Sequence, residues 1–62
     1  MFSNNLKTFR QEKGISQKEL AKELNVSYKT ISHYETGVSE PPIEIIVKIK
    51  KYFNCDYEDL LE

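Results

Sequence analysis

The chain offers few of the residues that hold small proteins together by means other than a core. Cys55 is the only cysteine, so no internal disulfide can form, and a reducing cytoplasm is the expected compartment. Tryptophan is absent, and glycine and proline occur twice each, at Gly14, Gly37, Pro41 and Pro42, too sparsely for a flexible linker or a low-complexity segment. The longest uninterrupted aliphatic run is Ile45-Ile46-Val47, far short of the roughly 20 residues that cross a bilayer. The opening MFSNNLK has no signal-peptide core, and no membrane contact is expected. No stretch alternates with strand period, and no segment repeats.

Catalytic groupings are equally scarce. His33 is the single histidine and has no Cys, Ser or Asp beside it in a nucleophile arrangement, Cys55 has no histidine partner, and no two residues stand at metal-ligand spacing. An enzyme, a metal site and a cofactor are therefore not expected, and no small-molecule pocket is visible. Asp56, Glu58 and Asp59 are the acids that a helix start attracts through its dipole.

What remains is helix grammar. At 62 residues, 39% hydrophobic and 31% charged, the chain suits one small domain over residues 1–62. A chain of this size buries only about 60% of its unfolded surface, so each core residue counts. Ser16 stands where an N-cap hydroxyl belongs, Glu19 follows as its capping-box partner, and Ile15 and Leu20 hold the two positions of a hydrophobic staple. A second start comes almost at once. Asn25 suits a left-handed corner, Ser27 can cap again, and Val26 can staple onto Ile31; the turn between is the length a helix-turn-helix requires. Gly37 provides the stop.

At about 100° per residue, Ile31, Tyr34 and Glu35 share one side of the second helix, and Tyr28, Lys29, Ser32, His33 and Thr36 the other. The first set reads as core, with Glu35 in need of a partner because a desolvated lone carboxylate costs several kcal/mol. The second set is a polar stripe that starts at the helix N-terminus, where a major-groove reader places its base contacts.

Elsewhere, Phe2, Leu6 and Phe9 mark an amphipathic first helix from Ser3 or Asn4 to Lys13, ended by Gly14. Pro41-Pro42 permits a fourth helix to begin, carrying Ile43, Ile46, Ile49 and Phe53 at helical spacing. Asn54 can end it, Asp56 can cap a short fifth helix, and Cys55 with Leu60 can staple it. Tyr52, Tyr57 and Leu61 stand out as apolar residues free either to finish the core or to face a second copy.

Charge is divided unevenly. Residues 1–39 carry six Lys and Arg against four acids, while residues 40–62 carry three Lys against six acids, so a formal net charge of −1 hides +2 in the first part and −3 in the second. Phosphate neutralisation supplies much of the affinity for DNA. A monomer is therefore expected to bind weakly.

The pattern Gly14-Ile15-Ser16-Gln17, Leu20-Ala21, Val26-Ser27, Ile31-Ser32 and Glu35-x-Gly37, continued by Pro41-Pro42, Ile46, Ile49, Phe53 and Asp56-x-x-Asp59-Leu60-Leu61, resembles the lambda-type repressor and Cro (XRE-like) helix-turn-helix family over nearly the whole chain. Asn25 replaces the family's usual glycine, Lys50 stands where a small apolar residue is frequent, and Val38-Ser39-Glu40 lacks the basic residues that many relatives turn to phosphate. The resemblance implies a compact, all-α, five-helix domain with its helix-turn-helix formed by helices 2 and 3. It also implies a buried pair between Arg10 and Glu35. The implied partner is double-stranded DNA, bound at a palindromic operator by a homodimer of a bacterial or phage transcriptional regulator, in the cytoplasm and nucleoid-associated. Tyr28, Lys29, Ser32 and His33 are then the base readers, and Gln17, Lys18, Ser27, Thr30 and Thr36 the phosphate contacts. The other function class left open is a protein-interaction module, such as an antitoxin-like or adaptor component.

Overall fold

A computed structural model describes all of residues 1–62. Four residues in the left-handed region divide the chain: Gly14 (φ 72°), Asn25 (φ 58°), Gly37 (φ 81°) and Asn54 (φ 54°). Each turns its backbone N–H onto a carbonyl of the helix before it, as Gly14 does to Gln11 at 3.0 Å and Asn25 to Lys22 at 3.2 Å. Asparagine tolerates this conformation better than most residues with a Cβ, which is why it serves at two of the four stops. Between the stops run α1 (Phe2–Lys13), α2 (Gln17–Leu24), α3 (Tyr28–Thr36), α4 (Ile43–Phe53) and α5 (Tyr57–Leu61), with no strand.

Every helix sends at least one side chain into a common core: Leu6 from α1, Leu20, Ala21 and Leu24 from α2, Ile31 and Tyr34 from α3, Ile49 from α4 and Leu60 from α5. Phe9 stacks on Phe53 with ring centroids 5.5 Å apart, and Phe2 meets Tyr34 edge-on at 6.4 Å. Apolar burial of this kind contributes about 25 cal/mol per Å² and holds the five helices together. A directional bond also ties α1 to α5, from the Asn5 side-chain amide to the Leu60 carbonyl at 2.9 Å. No helix is long and apolar enough to cross a membrane.

Two expectations need correction, and one alternative left open is settled. α1 begins at Phe2, ahead of Ser3, because the Asn5 N–H already bonds to the Met1 carbonyl at 3.0 Å. Ile43 is 61% exposed although its spacing matches Ile46 and Ile49; Ile45 packs against the core instead. A helical side chain lies over the turn before its own Cα, and the first residue of α4 has no helical turn there to cover. Tyr52 is half-buried and packs against the core rather than standing free. The Lys13 ammonium sits 4.8 Å from the centroid of its ring and Phe53 lies edge-on at 5.0 Å. Desolvation, followed by the charges of Glu23 and Glu19, raises its phenol above the ordinary tyrosine range.

Candidate nucleic-acid interface

Side-chain caps set both helix starts of the helix-turn-helix. Ser16 Oγ accepts the Glu19 N–H at 3.0 Å, and Glu19 Oε1 accepts the Ser16 N–H at 3.0 Å, so two otherwise unpaired donors are satisfied reciprocally. α2 then lasts eight residues before Asn25 turns the chain, and the Val26 N–H closes the corner on the Ala21 carbonyl at 2.9 Å. Ser27 Oγ accepts the Thr30 N–H at 3.1 Å and shares a 2.8 Å hydroxyl contact with Thr30 Oγ1. α3 therefore leaves the turn with Tyr28 and Lys29 in its first turn.

α3 packs on α1 and α2 through Ile31, Tyr34 and Glu35, all buried. Its other side stays open. Tyr28 is 51% exposed, Lys29, His33 and Thr36 are exposed, and Ser32 and Thr30 are half-buried. The Thr36 hydroxyl donates back to the Ser32 carbonyl at 3.0 Å, which leaves its oxygen to accept. Lys18, exposed on α2, carries its ammonium to 5.9 Å from the centroid of the Tyr28 ring.

Behind this face lies a polar knot. The Glu35 side chain is 2% exposed, and Arg10 grips it with two parallel bonds, Nε to Oε2 at 2.6 Å and Nη2 to Oε1 at 3.0 Å. Arg10 Nη1 also donates to the Ile15 carbonyl at 2.9 Å, and Gln17 Nε2 donates to Glu35 Oε1 at 3.1 Å. One guanidinium thus joins α1, the entry to α2 and α3. No buried polar side-chain atom is left without a partner.

The helix-start position of Gln17 points it to phosphate alone, and its bond to Glu35 is a role that reasoning from sequence misses. One signal does exist. A buried carboxylate has about four lone-pair sites and one bidentate arginine fills only part of them, which calls for a third donor near the α2 start.

No group of three His, Cys, Asp or Glu stands close enough to hold a metal ion. Two hollows of about 100 and 140 Å³ border Phe2 and Glu40, the first lying at the C-terminal end of α3 beside Tyr34 and Gly37. Both fall below the roughly 300–1,000 Å³ of small-molecule sites. What the chain exposes along α3 is a row of polar side chains, Tyr28, Lys29, His33 and Thr36.

A family model described as helix-turn-helix matches residues 6–60. The chain is 39% identical over 57 residues to an uncharacterized HTH-type transcriptional regulator of Methanocaldococcus jannaschii, a match spanning 92% of this chain and 86% of that protein. It is 30% identical over 61 residues to the cryptic phage CTXphi transcriptional repressor RstR of Vibrio cholerae, spanning 98% of this chain and 55% of the repressor. It is 33% identical over 61 residues to the antitoxin PezA of Streptococcus pneumoniae, spanning 98% of this chain and 39% of the antitoxin. No solved structure matches the chain.

Proposed function

The chain belongs to the helix-turn-helix family of transcriptional regulators, and from that premise we propose that it is a sequence-specific repressor that lays α3 in the major groove of a palindromic operator as a two-fold homodimer. One observation carries this reading: the inner face of α3 is locked to α1 by a buried ion pair and to α2 by the Gln17 amide, while its outer face presents Tyr28, Lys29 and His33 to solvent from the first turn onward. A reading head needs both an exposed set of donors and a rigid mount.

In this arrangement Lys29 donates to guanine O6 and N7, and His33, one turn later, to an acceptor on the next base pair or to a phosphate. Ser32 lies between them. Tyr28 offers its hydroxyl to a phosphate or its ring to a thymine methyl. Lys18, Ser27, Thr30 and Thr36 serve the backbone, as does Gln17 with the N–H that it does not give to Glu35. The free amides at the start of α2 add to the attraction for phosphate. Acid content in residues 40–62 lowers the overall attraction to DNA, and pairing two copies doubles the phosphate contacts that offset it. Such a regulator works in the cytoplasm.

Selection of bound fragments from a random DNA pool, followed by affinity measurements across salt, tests the proposal. Expected are two half-sites with centres about 34 Å apart, one turn of duplex, and an affinity that falls steeply with salt. No enrichment, or weak binding at every salt concentration, refutes it. That outcome favours a helix-turn-helix used as a protein-interaction module, a reading supported by the acidic second part, by exposed Tyr57 and Leu61, and by the similarity to an antitoxin.

A further inference from the structure

Three lysines lie over tyrosine rings, and two of them brace the frame: Lys13 over Tyr52 at 4.8 Å and Lys50 over Tyr57 at 5.2 Å. The third, Lys18 over Tyr28 at 5.9 Å, joins the two helices of the helix-turn-helix on its solvent side. Lys18 is the second residue of α2 and Tyr28 the first of α3. A cation near the N-terminus of a helix is opposed by the helix dipole, so Lys18 gains little from α3 itself. The negative face of the Tyr28 ring supplies the attraction.

We infer that Lys18 is a positioning residue for Tyr28, holding one face of the ring so that recognition at the base pair under Tyr28 depends on a lysine that itself meets only the DNA backbone. The inference rests on the proposed reading that Tyr28 meets DNA. Tyr28 is about half exposed, with its free ring face and hydroxyl available to the duplex. With Lys18 in place, the orientation that keeps one ring face over the ammonium is favoured. Without it, the ring is free to swing about its two side-chain torsions, and part of the discrimination goes with it.

The two roles of Lys18 separate experimentally. A phosphate contact lowers the affinity of every sequence alike, whereas a positioning contact changes the ratio between operators. The base pair under Tyr28 is first identified as the operator position whose preference disappears in Tyr28→Leu. Affinities for the selected operator and for its variant at that position are then compared in the wild type, Lys18→Met, Lys18→Arg, Tyr28→Leu and the Lys18→Met/Tyr28→Leu double variant. Lys18→Met is expected to reduce the ratio between the two operators by about two- to fivefold, the size of an exposed cation–π contact. Lys18→Arg is expected to restore the ratio, since a guanidinium also stacks on an aromatic face. In the Tyr28→Leu background, Lys18→Met should weaken both operators equally.

A measurement on the free protein accompanies this. The Lys18 ε-methylene protons are expected to show an upfield ring-current shift that Tyr28→Leu abolishes. A uniform loss of affinity in Lys18→Met, or the absence of that shift, overturns the inference while leaving the DNA-binding reading intact. If the wild type binds no DNA specifically, the parent reading fails and this one with it.

Discussion

The first three helices share a buried polar knot in addition to most of the core, whereas α4 and α5 join them by apolar contact and, at α5, by the Asn5–Leu60 bond and the Asp56–Asp59 capping box. α2 and α3 both begin at serine caps, and Arg10, Glu35, Gln17 and the Ile15 carbonyl form one knot across α1, α2 and α3. α4 begins at Pro42 with no side-chain cap, and Ile43, Tyr57 and Leu61 remain exposed. Charge follows the same division, +2 in residues 1–39 and −3 in residues 40–62. Apolar packing holds α4 and α5 in place and sets their crossing angles only through side-chain shape, with a scatter of about 15–20°. A bidentate arginine–carboxylate pair fixes distance and orientation together. The knot of directional bonds sits where α1, α2 and α3 meet, and apolar contacts complete the core behind it.

Removing Glu35 should break this division most visibly. Glu35→Ala leaves Arg10 and Gln17 without their acceptor and should cost about 3–5 kcal/mol, comparable with the whole stability of a domain this small. Urea unfolding should show it largely denatured, whereas Glu58→Ala, an exposed acid in the second part, should stay within about 0.5 kcal/mol of the parent. If the two variants unfold alike, the polar knot does not distinguish the regions. Replacing both partners, as in Arg10→Met/Glu35→Leu, should cost much less than the sum of the single changes, since neither leaves the other stranded.

Next in size is DNA recognition. Lys29→Ala should lose about 1–3 kcal/mol and relax preference at one base pair, while Lys51→Ala, exposed on α4, should change titrated affinity little. Equal losses on every operator variant would remove the assignment of Lys29 to a base. Ser27→Ala should then cost about 1 kcal/mol in thermal unfolding, the usual worth of an N-cap; no change would mean that Thr30 satisfies the start of α3 without it.

The smallest effect concerns Cys55 in the second part. Burial, followed by the nearby charges of Asp59 and Asp56, raises its thiol above the ordinary range, against a smaller lowering by Lys50. The folded chain keeps that proton to higher pH than the unfolded chain does. Ionisation therefore favours unfolding, and this contribution to stability, complete below the ordinary thiol range, is lost as pH rises from there through the raised value of the folded chain. Alkylation of Cys55 in mildly alkaline buffer should accordingly run slower in the folded protein than in urea. An equal rate would show the thiol unprotected.

Much of this architecture is legible in the order of residues. The stops at Gly14, Asn25, Gly37 and Asn54, the cap at Ser16 with its Glu19 partner, and the cap at Ser27 all depend on residues within a few positions of one another. The inward side of α3 follows from helical period alone. Partnerships between residues far apart in the chain leave no such local mark. Gln17 joins Glu35 across 18 positions, and Lys18 reaches Tyr28 in the next helix. Tyr52 is covered by Lys13 of α1, and Ile43 matches the core period of α4 yet stays exposed.

The sequence by itself determined where helices begin and end and which side of each turns inward, because caps, left-handed stops and apolar period act over a turn or two of chain. The tertiary structure decided that Gln17 joins the expected Arg10 at the buried carboxylate, that Tyr52 packs inward while Tyr57 and Leu61 stay exposed, and which rings the lysines cover. Those contacts depend on the angle and offset at which helices cross, and side-chain volumes throughout the core set both.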